Sequence, residues 1–342
     1  EETEKAFKIL EAEDIESRYY YKFLELLHNK QETSDELLGF CKANEYFVPK
    51  FQVNINPDKI IDLSGTGGDK IKTPNISTIA SFIVASKGIY VAKQSFLAVT
   101  GITGSANILQ EFGINPLELS QKGSKEITNI LKENNLVFYH ANSMSNPEKR
   151  KGFFNFWLKK VPETGLNFTT IYHLASNAYS PINMKRRIYG VFDEKYLKPL
   201  AELFQKLRYT KFLVFNGEDG LDEISNIGET RIIEFYYNKF KNYTITPENL
   251  GIKKTNADEI KGKSKEENIK DFLNIIYGKE KGAKMDLALI NAGAAFYVMD
   301  EVKSLKEGVK LALNLINNNV VAEKFEDYVK EYGDFEKLNY LK

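Results

Sequence analysis

Asp62-Leu-Ser-Gly-Thr-Gly-Gly-Asp-Lys-Ile-Lys-Thr-Pro-Asn-Ile-Ser-Thr78 decides how this chain is read. A short apolar run (Ile60, Ile61, Leu63) feeds a turn with three glycines, and a helix-like apolar segment follows from Ile79. Glycines at 65, 67 and 68 let backbone N–H groups approach an anion with no Cβ in the way. Thr66, Asn75, Ser77 and Thr78 add side-chain donors, and a helix after them would present its positive end. This is the chemistry of phosphate binding. A plain strand-to-helix turn would carry the same glycines, and Ser77 alone would serve as a helix cap. The stretch is neither a Walker loop, since no Gly-Lys-Ser/Thr closes it, nor a Gly-x-Gly-x-x-Gly dinucleotide turn.

The surroundings fit a local site rather than a global field. The 342 residues hold 47 Lys plus Arg and 47 Asp plus Glu, so no net charge favours nucleic acid or an anionic membrane. That length suits one large domain with a smaller one. Cys41 is the single cysteine, which excludes an internal disulfide and reads as a small buried hydrophobe in a reducing compartment. The longest apolar stretch, 287–299, is too short to span a bilayer and reads as a buried helix. The expectation is a soluble cytoplasmic protein without membrane partners.

Residues 3–50 carry helical periodicity, with Phe7, Leu10, Ile15, Phe23, Leu24, Leu27, Leu37, Leu38 and Phe40 as the apolar face. Thr33 or Ser34 supplies a cap. From 60 onward, β-branched runs at 60–63, 89–93, 136–139, 188–192 and 212–216 alternate with helical patterns at 76–87, 104–112, 124–133 and 194–207. That alternation predicts a mostly parallel sheet with helices on both faces. Residues 231–246 predict an antiparallel pair, 253–268 a surface loop, and 264–278, 286–299 and 304–318 closing helices. The charged 320–342 tail predicts a solvated helix. The domain expectation is 1–55 as a small helical domain joined by part of 145–180, with 56–342 as the α/β domain.

A second constellation, Phe215-Asn-Gly-Glu-Asp-Gly-Leu-Asp-Glu-Ile-Ser225, follows a predicted strand. Magnesium takes one or two protein carboxylates and fills its octahedron with water and phosphate oxygens. Asp222 and Glu223 suit that role, while Glu218 and Asp219 shape the turn. An acidic turn with a helix cap is the plainer alternative. Between the constellations, Lys93 ends a strand at the edge where open α/β sheets bind ligands, unless it only begins a solvated loop. Gly104-Ser105 opens another helix.

Together these motifs resemble the anthranilate phosphoribosyltransferases, of the nucleoside phosphorylase-like class, over nearly the whole chain. Gly65-Thr-Gly-Gly-Asp69 and Asn75-Ile-Ser-Thr78 resemble that family's diphosphate loop. Gly104-Ser-Ala106 with Leu109 and Gly113 resembles the following helix start, and Asp219-Gly-Leu-Asp-Glu-Ile-Ser225 the metal motif. Weaker matches run through Tyr243-Thr-Ile-Thr-Pro247 and Asn291-Ala-Gly-Ala-Ala295. The resemblance implies a helical domain joined to an α/β domain, a homodimer through the helical part, and phosphoribosyl pyrophosphate (PRPP) as donor to an amine. It implies a donor site of Gly65, Thr66, Gly67, Gly68, Asp69, Thr73, Asn75, Ser77, Thr78, Lys93, Thr100, Gly104 and Ser105. It also implies Mg2+ on Asp222, Glu223 and Ser77, with Lys93, Asp222 and Glu223 catalytic. The departing pyrophosphate needs charge stabilisation rather than a protein nucleophile.

The acceptor side departs from the pattern. Lys93-Gln-Ser-Phe-Leu97 stands where the family has Lys-His-Gly-Asn-Arg, and Asn146-Pro-Glu-Lys149 replaces His-Pro-Ala-Met. His173-Leu-Ala-Ser-Asn177 replaces Asn-Leu-Leu-Gly-Pro. The arginine expected before residue 165 to pair a carboxylate is absent, with Lys159 or Lys160 nearest; lysine lacks the bidentate fork. The expected acceptor pocket is Gln94, Phe96, Lys160, His173 and Asn177, with His140 and His173 structural rather than catalytic. A paralogue with another acceptor, a non-catalytic binder of phosphorylated ligands and a nucleoside phosphorylase are the alternatives.

Overall fold

Seven strands form one sheet in a computed structural model that describes residues 1–13, 15–48, 50, 53–97, 104–145 and 168–342. They are β1 (Ile60–Gly65), β2 (Tyr90–Gln94), β3 (Leu136–Tyr139), β4 (Arg186–Gly190), β5 (Lys211–Gly217), β6 (Thr230–Tyr236) and β7 (Lys239–Ile245), in the order β3-β2-β1-β4-β5-β6-β7. The first five positions pair in parallel and the last two antiparallel. Apolar runs such as Ile60, Ile61 and Leu63 are buried, as a parallel sheet covered on both faces requires. The chain leaves β1 toward β2 and β3, then returns to place β4 on the other side of β1. Strand order therefore reverses between β1 and β4, the place where open α/β sheets take ligands beyond their carboxyl ends. Gly65 pairs with Gly190 at that end.

Three helices, α1 (Glu2–Ala12), α2 (Ser17–Lys30) and α3 (Ser34–Phe47), occupy the N-terminal stretch. Thr33 caps α3 in a reciprocal box with Glu36. Phe7 meets Phe23, Phe40 and Tyr172 edge-on, and the Tyr172 hydroxyl donates to Glu11 at 2.6 Å. The short helix Ile171–Ala175 thus packs with the N-terminal helices. The molecule pairs a small helical domain with a larger α/β domain.

Helix α4 (Ile76–Ser86) is almost wholly buried, and the helix Ala283–Val298 lies beside it. The latter crosses the helix Leu305–Asn317 at Gly293 and Gly308, where a Cβ on Gly308 would collide with the Gly293 carbonyl.

Three expectations need correction. Strand β4 begins at Arg186 rather than 188, because the charge of Arg187 is neutralised inside the protein by Asp62. Residues 253–268 are not a plain surface loop: Ala257–Ile260 is helical, Ile260 is buried, and the Gly262 amide donates to the Lys72 carbonyl at 2.7 Å. The tail is not solvated. Its helices Val320–Tyr332 and Phe335–Leu341 bury Val321, Phe325, Tyr328, Val329 and Leu338, with Phe325 and Tyr328 edge-on to Phe82. The intervening charges hid that apolar stripe.

Candidate functional site

The glycine loop and the acidic turn interlock at the β1/β4 end of the sheet. After β1 the Thr66 amide donates to the Gly190 carbonyl at 2.9 Å, and the Thr66 hydroxyl accepts from the Phe192 amide at 3.1 Å. Gly67 and Gly68 follow with φ of 65° and 82°, the left-handed region that favours glycine. The Gly67 amide donates to Asp222 Oδ2 at 2.7 Å. A Cβ on Gly65 would collide with Asp222 Oδ2, and one on Gly190 would overlap the Asp222 carbonyl oxygen. Two strand-ending glycines therefore make the room that the acidic turn fills.

That turn is built in two halves. Asp219 accepts from the Leu221 amide at 3.1 Å and from the Ser225 hydroxyl at 2.5 Å, so it shapes the turn as expected. Asn291 Oδ1 accepts from the Ile224 amide at 3.1 Å and anchors the turn to the helix Ala283–Val298. Asp222 and Glu223 are not spent in this way. Burial first, and then the neighbouring Asp69, push the Asp222 carboxyl up to about 7. Burial and the charge of Asp222 raise Glu223 well above the carboxylate range, while Lys93 and the Ser77 amide, in the first turn of α4, pull the other way. Among the described residues neither makes an ion pair, and no group of three or more His, Cys, Asp or Glu could hold a metal alone. Two adjacent desolvated carboxylates without a cation fit a magnesium that takes its remaining ligands from water and phosphate.

Lys93 is not the solvated start of a loop: it is 3% exposed, and its ammonium donates to the Leu63 carbonyl at 2.6 Å. Burial lowers its pKa, opposed by Asp62, Glu223 and Asp222. Beneath it Asp62 meets Arg187 at 2.7 Å, both wholly buried.

Asp69 is half-buried beside Lys72 at 3.3 Å, and burial raises its pKa. Asn75 takes the N-cap position of α4, half-buried Thr73 precedes it, and Thr78 is buried with its hydroxyl unpartnered. Gly104 is the N-cap of Ser105–Glu111, and the Ser105 hydroxyl accepts from the Phe96 amide at 3.0 Å. Thr100, Lys159, Lys160 and residues 146–149 lie outside the described residues.

On the acceptor side, Gln94 ends β2, and its Nε2 donates to the Ser176 carbonyl at 3.2 Å. Asn177 Nδ2 donates to the Gly65 carbonyl at 2.7 Å. Phe96 lies edge-on to His140. His173 Nδ1 accepts from the Thr170 amide at 3.1 Å, and burial lowers its pKa to about 4; both histidines thus act locally in the fold. Sequence reasoning passed over Gly190, Arg187 and Lys72. Only Gly190 left a signal, a glycine closing an apolar strand as Gly65 does.

The glycosyl transferase family, a/b domain, matches residues 57–319. The anthranilate phosphoribosyltransferase of Petrotoga mobilis is 33% identical over 339 residues, covering 99% of this chain and 94% of the relative. That of Clostridium beijerinckii is 36% identical, covering 89% and 86%. Among solved structures, the anthranilate phosphoribosyltransferase of Thermus thermophilus superposes with a TM-score of 0.82 at 28% identity, over 96% of this chain and 94% of that one. The enzyme from Saccharomyces cerevisiae in complex with PRPP and Mg shares the fold, with a TM-score of 0.76 at 19% identity, over 92% and 85%.

Proposed function

The chain belongs to the anthranilate phosphoribosyltransferase family, and on that premise we propose how its own residues perform the transfer. It is a phosphoribosyltransferase of tryptophan biosynthesis that moves the phosphoribosyl group of PRPP to the amino nitrogen of anthranilate. The bond from the anomeric carbon to pyrophosphate breaks, the carbon–nitrogen bond forms, and the nitrogen gives up one proton. The observation that carries this reading is the bare Asp222–Glu223 pair locked against the glycine loop at the β1/β4 reversal.

Charge develops on the leaving pyrophosphate, so fixed donors aimed there lower the barrier. The amides of 65–69, the hydroxyls of Ser77 and Thr78, Thr73 and Asn75 nearby, and the Gly104–Ser105 helix start are our assignment for the donor site. Asp222, Glu223 and Ser77 would hold Mg2+, which supplies charge neutralisation for a diphosphate. Lys93 serves as a positioning residue: it steadies the strand below the loop and offsets the two carboxylates. Gln94, Phe96 and Asn177 border the acceptor.

Titrating PRPP with and without magnesium, then following anthranilate fluorescence, tests the reading. Magnesium-dependent binding with loss of anthranilate and release of pyrophosphate is expected. PRPP binding without anthranilate turnover would overturn it.

We further propose a homodimer through the helical domain, where Ile9, Tyr19, Leu26 and Tyr46 are exposed. Residues 1–55 with the segment around Ile171–Ala175 form that domain in this reading. A cytoplasmic setting accords with the single buried thiol, and no helix among the described residues is long and apolar enough to cross a membrane.

A further inference from the structure

Two side-chain amides at the carboxyl edge of the sheet are oriented by groups that can only accept. Gln94 Nε2 donates to the Ser176 carbonyl and Asn177 Nδ2 to the Gly65 carbonyl. A carbonyl cannot donate, so neither amide can be turned round without losing its bond. Each oxygen therefore points the other way. Gln94 Oε1 and Asn177 Oδ1 are both buried, and neither has a partner. Gln94 as a whole is 2% exposed. Bare buried acceptors are rare in folded proteins and call for a partner from elsewhere.

Their place in the fold says where that partner comes from. Gln94 is the last residue of β2 and bonds to the Ser176 carbonyl, while Asn177, the next residue along, bonds to the carbonyl of Gly65, the last residue of β1. Gly65 in turn lies against Asp222. One amide thus ends β2 and the other bonds to the end of β1, both on strands that lie to the β3 side of β4.

We propose that Gln94 Oε1 and Asn177 Oδ1 receive the two N–H bonds of the acceptor amine, which rests on the transferase reading above. An aromatic primary amine carries two N–H donors and one lone pair. Seating both donors on fixed oxygens leaves the lone pair free to attack the anomeric carbon. As the carbon–nitrogen bond forms and the bond to pyrophosphate breaks, the nitrogen becomes positive and its hydrogen bonds to the oxygens strengthen. One of its protons then passes to solvent. The same oxygens repel a carboxylate, phosphate or phenolate placed there, so the site selects for a donor group. Both positions differ from the family pattern, which makes the arrangement a property of this chain.

The experiment compares anthranilate with salicylate, which has one O–H in place of two N–H bonds. Calorimetry with magnesium and pyrophosphate standing in for PRPP measures binding without turnover, and steady-state assays give KM and kcat. The wild-type protein should bind anthranilate ~10-fold or more above salicylate. Gln94→Met and Asn177→Leu should each raise the anthranilate KM by ~10-fold and erase most of that preference. Affinity for PRPP should change less than the anthranilate KM, most clearly in Gln94→Met, whose amide bonds to Ser176 and not to the glycine loop. An unchanged KM with an unchanged preference would overturn the proposal. If a variant does not fold, equal wild-type affinity for the two compounds overturns it by itself. Failure of the wild-type protein to bind PRPP with magnesium would instead reject the transferase reading.

Discussion

Two buried charge systems lie on or against β1 and β4 and are treated in opposite ways. Below the glycine loop, Asp62 receives Arg187 Nη2 at 2.7 Å and the Ser64 hydroxyl at 2.8 Å, while Arg187 Nη1 donates to the Ala178 carbonyl at 2.7 Å. The rings of Tyr189, Phe204 and Tyr209 surround the guanidinium. Above the loop, Asp222 and Glu223 meet one glycine amide, one helix amide and each other's repulsion, offset only in part by Lys93. Charge that the fold needs is matched within the chain; charge left unmatched is reserved for something that binds.

The largest effect should come from the matched pair. Arg187→Met strands Asp62 in the core, and urea unfolding should show a loss of about 3–5 kcal/mol. The double variant Asp62→Leu, Arg187→Met should recover most of it, because nothing charged remains buried; no recovery would mean the arginine matters for more than its charge. Next in size is the unmatched pair. Asp222→Asn with Glu223→Gln should lower kcat/KM by about 10²–10³-fold while raising thermal stability, since repulsion is removed. Loss of both activity and stability would place these carboxylates with the structural kind.

The pH response separates the two systems further. Asp222 titrates at about 7 in the folded protein against an ordinary 3.8, so the folded state holds the proton that the unfolded state has lost. Stability of the metal-free protein therefore falls as pH rises from about 4 to about 7, and Glu223 acts in the same direction. Melting curves at pH 5 and 8 should show this decline, flattened in the double variant, and added magnesium should raise Tm more at pH 8. The smallest effect belongs to Asp219, whose bonds are all local. Asp219→Asn should cost about 1 kcal/mol and leave kcat/KM within about three-fold.

The same contrast explains what the sequence made legible. The β-branched runs located all five parallel strands, since burial on both faces writes a continuous apolar signal. Loop 65–69 and the Asp222–Glu223 turn were visible because they need unusual backbone freedom and paired acids at short spacing. Arg187 was not visible: its role depends on Asp62, 125 residues away, and a charged residue reads as surface. The tail was misread for a similar reason, its apolar stripe being diluted by exposed charge. Lys93 was legible as the lysine that closes a strand, but its bond to the Leu63 carbonyl was not, because that carbonyl lies 30 residues away on another strand.

The long reach of the loop's partners also bears on how the protein is made. Gly67 waits for Asp222, 155 residues later, and the Asp222 turn waits for Asn291 on its helix, while the Gly262 amide secures Lys72. A nascent chain therefore exposes its glycine loop early and completes it only after Asn291 has emerged. Contacts this far apart in sequence form slowly. The geometry of the loop is therefore acquired only once Asp222 and its anchor on the later helix have been made, and a shorter chain lacks it.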